Sequence, residues 1–440
     1  MTAPPPHLAE QTTPGNYFVS NYPPYSFWTP DRVGDAHRAL DRAPRPETPL
    51  GVYLHIPFCR KRCHFCYFKV YTGKNADEIE GYLSAAIREL ELYTAKQFLK
   101  DRRLSYIYFG GGTPSFISSK QLTHLVDRLR ALLPWDHTEE ITFECEPGTL
   151  TEGKLKTIKD LGVTRLSLGI ENFSDSILAS NGRAHLSKEI FRSYEFARSI
   201  GFDQINIDLI AGMVGETEDN WRDCVQKTID LSPESVTIYQ MEVPYNTTIV
   251  QEMKIHGQSV APVADWSTKR HWVDFAFAEF ERAGYTIGSA YTAIKHPART
   301  KFLYRDLLWH GADMLGLGVA SFSHVGGTHF QNLHDFDAYL DALHQGRLPI
   351  YRAFTLSDDQ RLIREFILQM KLGHLDLDYF RAKFGVDPAD RFSAPLADLE
   401  TRGLLARAPR GLSLTREALL KVDTLLYDFF PPQHRSARYA

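Results

Sequence analysis

Short apolar runs alternate with longer amphipathic stretches through the middle of the chain. Between the apolar runs, hydrophobic residues recur at helical spacing. This alternation is typical of βαβ units with parallel strands, and we predict an α/β fold built as a partial (β/α)6 TIM-like barrel. The predicted strands are 51–56, 104–109, 139–145, 164–169, 204–210 and 235–240. The predicted helices are near 76–97, 118–133, 151–161, 186–200 and 217–231.

The start of the chain differs from this core in composition. Residues 1–48 are rich in proline and aromatic residues. Disordered segments are poor in aromatic residues, so we predict an N-terminal arm, 1–48, that packs on the body of the protein. The barrel and its extension are predicted over 49–345, where a helix near 264–283 and a strand near 285–290 follow the sixth unit.

After residue 345 the pattern changes to three short amphipathic helices and two short apolar runs joined by a turn. Three helices followed by a β-hairpin are typical of a winged helix. We therefore predict a C-terminal winged-helix-like α+β domain over 346–440. Its predicted elements are helices at 358–372, 376–384 and 393–402 and strands at 403–405 and 411–415.

Composition and charge narrow the functional classes. Of the 440 residues, 43% are hydrophobic and 24% are charged, which is ordinary for a globular protein. The formal net charge of −4 gives no electrostatic reason to expect nucleic acid as a partner. No apolar run reaches the length of about 18 residues that a spanning helix needs. Five cysteines, three of them clustered, fit a reducing compartment. We expect a cytoplasmic protein with no integral membrane segment.

Cys59, Cys63 and Cys66 form a C-x3-C-x2-C run directly after the first predicted strand. Three thiolates from one loop suit an iron–sulfur cluster better than a closed zinc site, whose ligands usually come as two separated pairs. Four irons need four ligands, so three cysteines leave one iron open to a substrate or cofactor. The alternatives are structural zinc with a distant fourth ligand, or unrelated thiols.

Other chemistry-bearing residues follow the next predicted strands. The glycines of 110–114 would let backbone approach a ligand closely, although a simple turn would also use them. Glu144 and Glu146 end the third strand, where two neighbouring carboxylates favour a bound cation unless they are solvated. The carboxyl ends of parallel strands meet at one edge of a sheet, so we expect these groups near the cysteine loop.

Two further charged residues are candidates for a ligand site. Arg183 follows the fourth strand and would bind a carboxylate bidentately, unless it is a surface charge. Asp208 lies inside an apolar strand and must therefore be paired, either with protein groups or with a ligand. Aromatic and histidine side chains are candidates for lining a substrate pocket; they are His64, Tyr67, Trp309 and His310.

These motifs, in this order, resemble the oxygen-independent coproporphyrinogen oxidase family of radical S-adenosylmethionine (SAM) enzymes, the HemN/HemW group. The resemblance runs from about residue 49 to about 420 and implies a barrel of the radical SAM type. The matching stretches are Tyr53–Cys59, Gly110–Pro114, Glu144–Thr149, Arg165–Phe173, Gly182–Arg183, Asn206–Gly212 and Tyr239–Thr247.

The resemblance implies cofactors and roles. Cys59, Cys63 and Cys66 would bind a 4Fe-4S cluster, and reductive cleavage of SAM would yield a 5′-deoxyadenosyl radical that acts on a small-molecule substrate. The electron would come from a donor such as flavodoxin or ferredoxin. The residues implied to bind SAM are Tyr53, Phe65, Gly111, Gly112, Thr113, Glu144, Glu171, Arg183 and Asp208.

The chain departs from the family at three positions. Phe68 stands where the oxidase has a further cysteine, Glu171 stands where it has glutamine, and 304–309 keeps only Trp309 of the heme-chaperone motif HNxxYW. The Cys-x-Phe ending resembles the family's methyltransferases, which use two SAM molecules. We therefore expect methyl transfer or related C–C chemistry on a planar conjugated substrate. The alternatives are an oxidoreductase of porphyrin biosynthesis, namely coproporphyrinogen oxidase, and a heme chaperone.

Overall fold

The computed structural model describes residues 10–435. The first nine residues of the predicted arm and the last five residues of the predicted C-terminal domain lie outside the described residues. Twelve strands form one large sheet. They are β1 (Leu50–Ile56), β2 (Tyr106–Gly111), β3 (Glu140–Cys145), β4 (Arg165–Glu171), β5 (Gln204–Ala211), β6 (Ser235–Gln240), β7 (Thr286–Ser289), β8 (Thr292–Ile294), β9 (Asp313–Leu317), β10 (Phe322–Val325), β11 (Thr328–Asn332) and β12 (Ile350–Thr355).

Helices cover the outer face of this sheet and build most of the C-terminal part. In chain order the α-helices are α1 (Val33–Leu40), α2 (Ala76–Thr94), α3 (Ser119–Leu132), α4 (Glu152–Asp160), α5 (Asp175–Ser180), α6 (Ser187–Ser199), α7 (Glu218–Leu231), α8 (Thr248–Ile255), α9 (Trp266–Arg282), α10 (Leu303–Trp309), α11 (Phe336–His344), α12 (Asp358–Met370), α13 (Leu377–Phe384), α14 (Pro388–Arg391), α15 (Ser393–Thr401), α16 (Arg416–Leu420), α17 (Val422–Leu425) and α18 (Pro432–Arg435).

The strand order is β12-β11-β10-β9-β1-β2-β3-β4-β5-β6-β8-β7. Strands β1 to β6 pair in parallel with one another, β9 pairs in parallel with β1, and β8 continues the sheet antiparallel to β6. The partial barrel of six β/α units is therefore confirmed. The order also places the carboxyl ends of β1 to β6 side by side at one mouth.

The two faces of the parallel strands differ in chemistry because successive side chains point to opposite sides. Outward residues such as Ile107, Phe143 and Ile207 are buried in one hydrophobic core under the helices. The inward positions are mostly polar; they include Glu140, Thr142, Arg165, Ser167, Asn206, Ser235 and Thr237, all buried. The barrel therefore encloses a polar interior below its mouth.

The glycine-rich segment after α10 forms β9 and its exit, a strand that periodicity did not predict. A Cβ added at Gly316 would meet the carbonyl O of Phe322 at 2.2 Å, and one added at Gly318 would meet the hydroxyl of Tyr82 at 2.4 Å. Glycine is required here because the neighbouring backbone and side chains come too close for any other residue.

The described part of the arm joins the two outer parts of the sheet. Gly15 forms an antiparallel bridge with Val243, just after β6, and Thr29 forms one with Ala353 on β12. Between these points Trp28 stacks on His329, with ring centroids 4.9 Å apart. The arm thus packs on the body, as its aromatic content predicts.

The C-terminal part has its own hydrophobic core around Phe366, Phe380 and Phe392. Strands β13 (His374–Asp376), β14 (Leu405–Ala408) and β15 (Gly411–Leu414) form a three-stranded sheet in the order β13-β15-β14. Helices followed by this hairpin match the predicted winged-helix-like domain. Within residues 10–435, no helix combines the length and the apolar character needed to cross a bilayer.

Candidate active site

The cysteine loop leaves the carboxyl end of β1 and is closed at its base by backbone hydrogen bonds. The N–H of Cys59 donates to the carbonyl O of Tyr71 at 3.0 Å, and the N–H of Tyr71 donates to Pro57 O at 2.7 Å. Within the loop, the N–H of Cys66 donates to Cys63 O at 3.2 Å. These bonds hold the three thiols in one loop at the barrel mouth.

Two of the three thiols accept a hydrogen bond from a side chain of a neighbouring strand exit. The Thr113 hydroxyl donates to Cys59 Sγ at 3.3 Å, and Arg183 Nη1 donates to Cys63 Sγ at 3.3 Å. Burial raises the pKa of the Cys59 thiol to about 11 and that of Cys66 to about 12. A buried thiolate therefore needs positive charge beside it, which an iron–sulfur cluster supplies.

The residues present fit such a cluster. Three soft thiolates with hydrogen-bond donors aimed at sulfur are the ligand set that iron–sulfur clusters use. Backbone also leaves room on this side, since a Cβ at Gly112 would lie 3.0 Å from Cys59 Sγ and 2.8 Å from the carbonyl carbon of Pro57.

The glycine loop after β2 donates its N–H groups within the protein. The N–H of Gly111 donates to Glu144 Oε2 at 3.1 Å, Gly112 N–H to Ile56 O at 2.9 Å, and Thr113 N–H to Phe58 O at 2.9 Å. The loop is thus fastened to β3 on one side and to the cysteine loop on the other. It has only carbonyl oxygens to offer a ligand, and these suit an ammonium group.

Three carboxylates from successive strands influence one another inside the mouth. Burial raises the pKa of Glu144 to about 7 and that of Glu171 to about 7, and it raises the pKa of Asp208 as well. Tyr108 donates to Glu144 at 2.6 Å and Ser167 donates to Asp208 at 3.0 Å. A ligand with more than one positive charge would complement this group, because it would restore the ionised state of these carboxylates.

Arg183 is the cation beside Glu171, whereas Arg165 is the one that acts on Glu144 and Asp208. Its Nη2 lies 3.6 Å from Glu171 Oε1, and both side chains are nearly buried. Glu171 adopts a φ of 67°, which is uncommon for a residue other than glycine, and a register shift separates it from Gly169. Strained backbone of this kind is concentrated at functional sites.

His185 is a member of the site that sequence reasoning missed. Its Nδ1 lies 2.8 Å from Glu146 Oε1. Burial pushes the pKa of Glu146 upward, but the hydrogen bond from His185 and nearby guanidinium groups lower it overall. Glu146 therefore binds groups of the protein at the exit of β3, where it also accepts from Gly148 N–H at 3.1 Å. Its partners differ from those of Glu144, which are Tyr108 and Gly111. The signal was available, since His185 stands two residues after Arg183.

Large aromatic side chains are exposed around the mouth. Tyr67 and Phe68 stack on each other with ring centroids 4.5 Å apart, and they are 39% and 47% exposed. Tyr239 and Tyr245, at and after the end of β6, are 43% and 42% exposed. Large apolar surface that is exposed beside a polar cavity is a mark of a binding site.

The remaining predicted residues take separate places. Tyr53 faces the interior, with its hydroxyl 3.2 Å from His55 Nδ1, and Phe65 packs on the small hydrophobic cluster beside the ends of β5 and β6. Trp309 is buried in the core of the C-terminal domain. His310 likewise packs on Tyr379 of that domain.

Comparison with known proteins agrees with this geometry. Residues 53–227 match the Radical SAM superfamily and residues 356–420 match the HemN C-terminal domain. The heme chaperone HemW of Bacillus subtilis is 29% identical, with 84% of this chain and 96% of the relative covered. An oxygen-independent coproporphyrinogen III oxidase of Synechocystis is 27% identical, covering 89% and 88%.

The fold is also found in a solved structure. The coproporphyrinogen III oxidase HemN from Escherichia coli superposes with a TM-score of 0.81 at 22% identity, over 95% of this chain and 99% of that one. The named relatives are oxidases and a chaperone, so the expectation of methyl transfer gains no support from them. The two family matches and the relatives, each covered over more than four fifths of both chains, support the assignment of this chain to the HemN-like family of radical SAM proteins.

Proposed function

We propose that this radical SAM enzyme cleaves SAM reductively at a 4Fe-4S cluster held by Cys59, Cys63 and Cys66, and that it abstracts hydrogen from a tetrapyrrole. The observation that carries the proposal is the meeting, at one mouth, of the thiol loop with three half-buried carboxylates whose pKa values are raised. When bound, the cluster supplies the electron that breaks the carbon–sulfur bond of SAM.

The protein's own groups would orient SAM. Glu144, Glu171 and Asp208 offer negative charge to the ammonium and sulfonium of SAM, while Arg183 offers its guanidinium to the carboxylate. The carbonyl oxygens of the glycine loop are the remaining acceptors for the ammonium. None of these groups needs to move a proton for the carbon–sulfur bond to break, so their task is orientation and the exclusion of water.

The substrate class is proposed from the aromatic mouth. Tyr67, Phe68, Tyr239 and Tyr245 present aromatic faces beside the opening, and such faces pack against the flat pyrrole rings of a tetrapyrrole. The names of the relatives refer to coproporphyrinogen and heme, which supports a tetrapyrrole. A reduced carrier such as flavodoxin would donate the electron, and exposed Lys61 and Lys69 on the cysteine loop suit an acidic partner.

Methyl transfer is the second candidate, and it depends on one residue. Phe68 is exposed on the cysteine loop and stacks on Tyr67, so it would contact a substrate. It replaces the further cysteine that the oxidase has at this position. A second SAM molecule would be required as methyl donor. The two candidates predict different products from the same incubation.

The test is an anaerobic incubation of the reconstituted protein with SAM, a reductant and coproporphyrinogen III. Oxidation gives 5′-deoxyadenosine with carbon dioxide, and the electron left on the substrate after decarboxylation passes to an added one-electron acceptor. Methyl transfer gives S-adenosylhomocysteine together with 5′-deoxyadenosine. Cys63→Ala should abolish 5′-deoxyadenosine formation. Cys145→Ala, which removes a buried thiol from the core outside the loop, should leave it intact. A Cys63→Ala protein that still cleaves SAM at the parental rate contradicts the proposal.

A further inference from the structure

Two thiols of the cysteine loop accept a hydrogen bond from a side chain, and the two donors differ in kind. Cys59 accepts from the Thr113 hydroxyl and Cys63 from the Arg183 guanidinium. Hydrogen bonds to sulfur are among the factors that set the reduction potential of an iron–sulfur cluster. We propose that the Thr113 hydroxyl raises the reduction potential of the cluster through Cys59, an inference that rests on the proposed function.

The contact is buried, which gives the hydroxyl its effect. Oγ1 of Thr113 lies 3.3 Å from Sγ of Cys59, and the two residues are 9% and 8% exposed. Water has little access to either atom, so it does not compete with the hydrogen bond. A hydrogen bond acts more strongly on charge in such a low-dielectric setting than at the surface.

Backbone hydrogen bonds fix Thr113 relative to the thiol. Its N–H donates to Phe58 O at 2.9 Å, and its own carbonyl O accepts from Phe116 N–H at 2.8 Å. The preceding N–H, of Gly112, donates to Ile56 O at 2.9 Å. Thr113 is therefore held against the residue that precedes Cys59, and its hydroxyl is directed to the sulfur rather than into the barrel.

A donor on a ligand sulfur withdraws electron density from it. The reduced cluster carries more negative charge than the oxidised one, so the donor stabilises the reduced state more. Removal of the hydroxyl should therefore make reduction harder. Thr113 is the donor that tests this cleanly, because replacing Arg183 would also change the net charge and remove the partner of Glu171.

The experiment compares redox titrations of the reconstituted parent and variants, without SAM, read by electron paramagnetic resonance of the reduced cluster. Thr113→Val keeps the shape and removes the hydroxyl, Thr113→Ser keeps the hydroxyl, and Thr149→Val removes a nearby hydroxyl that bonds Glu146 O instead of a thiol. At the potential where half of the parent clusters are reduced, we expect a clearly smaller reduced fraction in Thr113→Val. Thr113→Ser and Thr149→Val should match the parent.

Equal midpoint potentials for the parent and Thr113→Val overturn the inference, and so does an equal shift in Thr113→Ser. If valine crowds out the cluster, Thr113→Ala removes the same hydroxyl with a smaller side chain and must show the same shift. Because the titration contains no SAM, its outcome is separate from the proposed function, which fails only if the parent protein does not cleave SAM.

Discussion

Arg183 donates from Nη1 to the thiol of Cys63 at 3.3 Å while its Nη2 lies 3.6 Å from the carboxylate of Glu171. One guanidinium thus links the cysteine loop, the exit of β4 and the segment that follows α5. The link makes the ionisation of Glu171 depend on Arg183, since burial raises the pKa of that carboxyl and the guanidinium lowers it.

Arg183→Gln should steepen the loss of stability with rising pH. The pKa of Glu171, already raised to about 7, moves higher still without the guanidinium. A carboxyl with a raised pKa in the folded state stabilises the fold below its unfolded pKa, and this is lost as pH rises through the folded pKa. Thermal unfolding at pH 6 and pH 8 measures the difference. Arg103→Gln, at an exposed position, should lose as much stability between pH 6 and pH 8 as the parent does. An equally small loss in Arg183→Gln would contradict the link between Arg183 and Glu171.

Gly112→Ala should reduce the iron content of reconstituted protein several-fold. The added Cβ would lie 2.8 Å from the carbonyl carbon of Pro57 and 3.0 Å from Cys59 Sγ, so the cysteine loop has to shift. Iron and sulfide analysis with the visible absorbance of the cluster gives the measurement. Gly153→Ala in α4, where nothing lies within 4 Å, is the control and should take up the parental amount of iron. Full iron content in both variants would show that the close approach of Gly112 to Pro57 and Cys59 is not required for cluster binding.

Glu144→Gln should weaken SAM binding by roughly tenfold, on the scale of one charge-assisted hydrogen bond of about 1.5 kcal/mol. The parent should also bind SAM more weakly as pH falls through about 7, where Glu144 takes up a proton. The variant lacks this carboxyl and should show a smaller slope. Equilibrium dialysis between pH 6 and pH 7.5 provides the comparison. Identical slopes would mean that Glu144 does not face the ligand.

Asp423→Asn should lower the free energy of unfolding by about 3 kcal/mol, since it leaves the fully buried ammonium of Lys371 without its carboxylate. The two groups lie 2.8 Å apart, and Lys371 also donates to Val19 O at 2.6 Å. Urea unfolding measures the loss. Glu417→Gln breaks the exposed pair with Lys421 and should cause no measurable change. The double variant Lys371→Met with Asp423→Asn should be less destabilised than Asp423→Asn alone.

Much of the fold could be predicted because local pattern and burial agree in the parallel strands. All six predicted strands are present within two residues at their starts, and their connecting helices follow the predicted spacing. β9 was missed because its glycines, Gly316 and Gly318, serve close packing and weaken any strand signal. Short antiparallel strands such as β8 have too few residues for a period to show.

The parts of the site that follow from residue spacing could be predicted from the sequence. Contacts that form only when separate loops approach each other could not. The three thiols and the carboxylates at strand ends follow from sequence order, because parallel strands bring their exits together. The contact between Thr113 and Cys59 joins the exits of two strands 54 residues apart in the chain. Nothing in either segment alone shows that the hydroxyl faces a sulfur rather than a ligand.

The meeting of the arm with the end of the chain has a consequence for biosynthesis. The N–H of Val19 donates to Asp423 at 2.9 Å, and the Tyr22 hydroxyl lies 2.7 Å from His434 Nδ1, so these contacts span 404 and 412 positions. Translation at about 5–20 residues per second separates such partners by roughly 20–80 s. During that interval the aromatic arm has left the ribosome while its docking surface does not yet exist. Docking of the arm is therefore a late step in folding, because it requires partners that are synthesised 404 and 412 positions later.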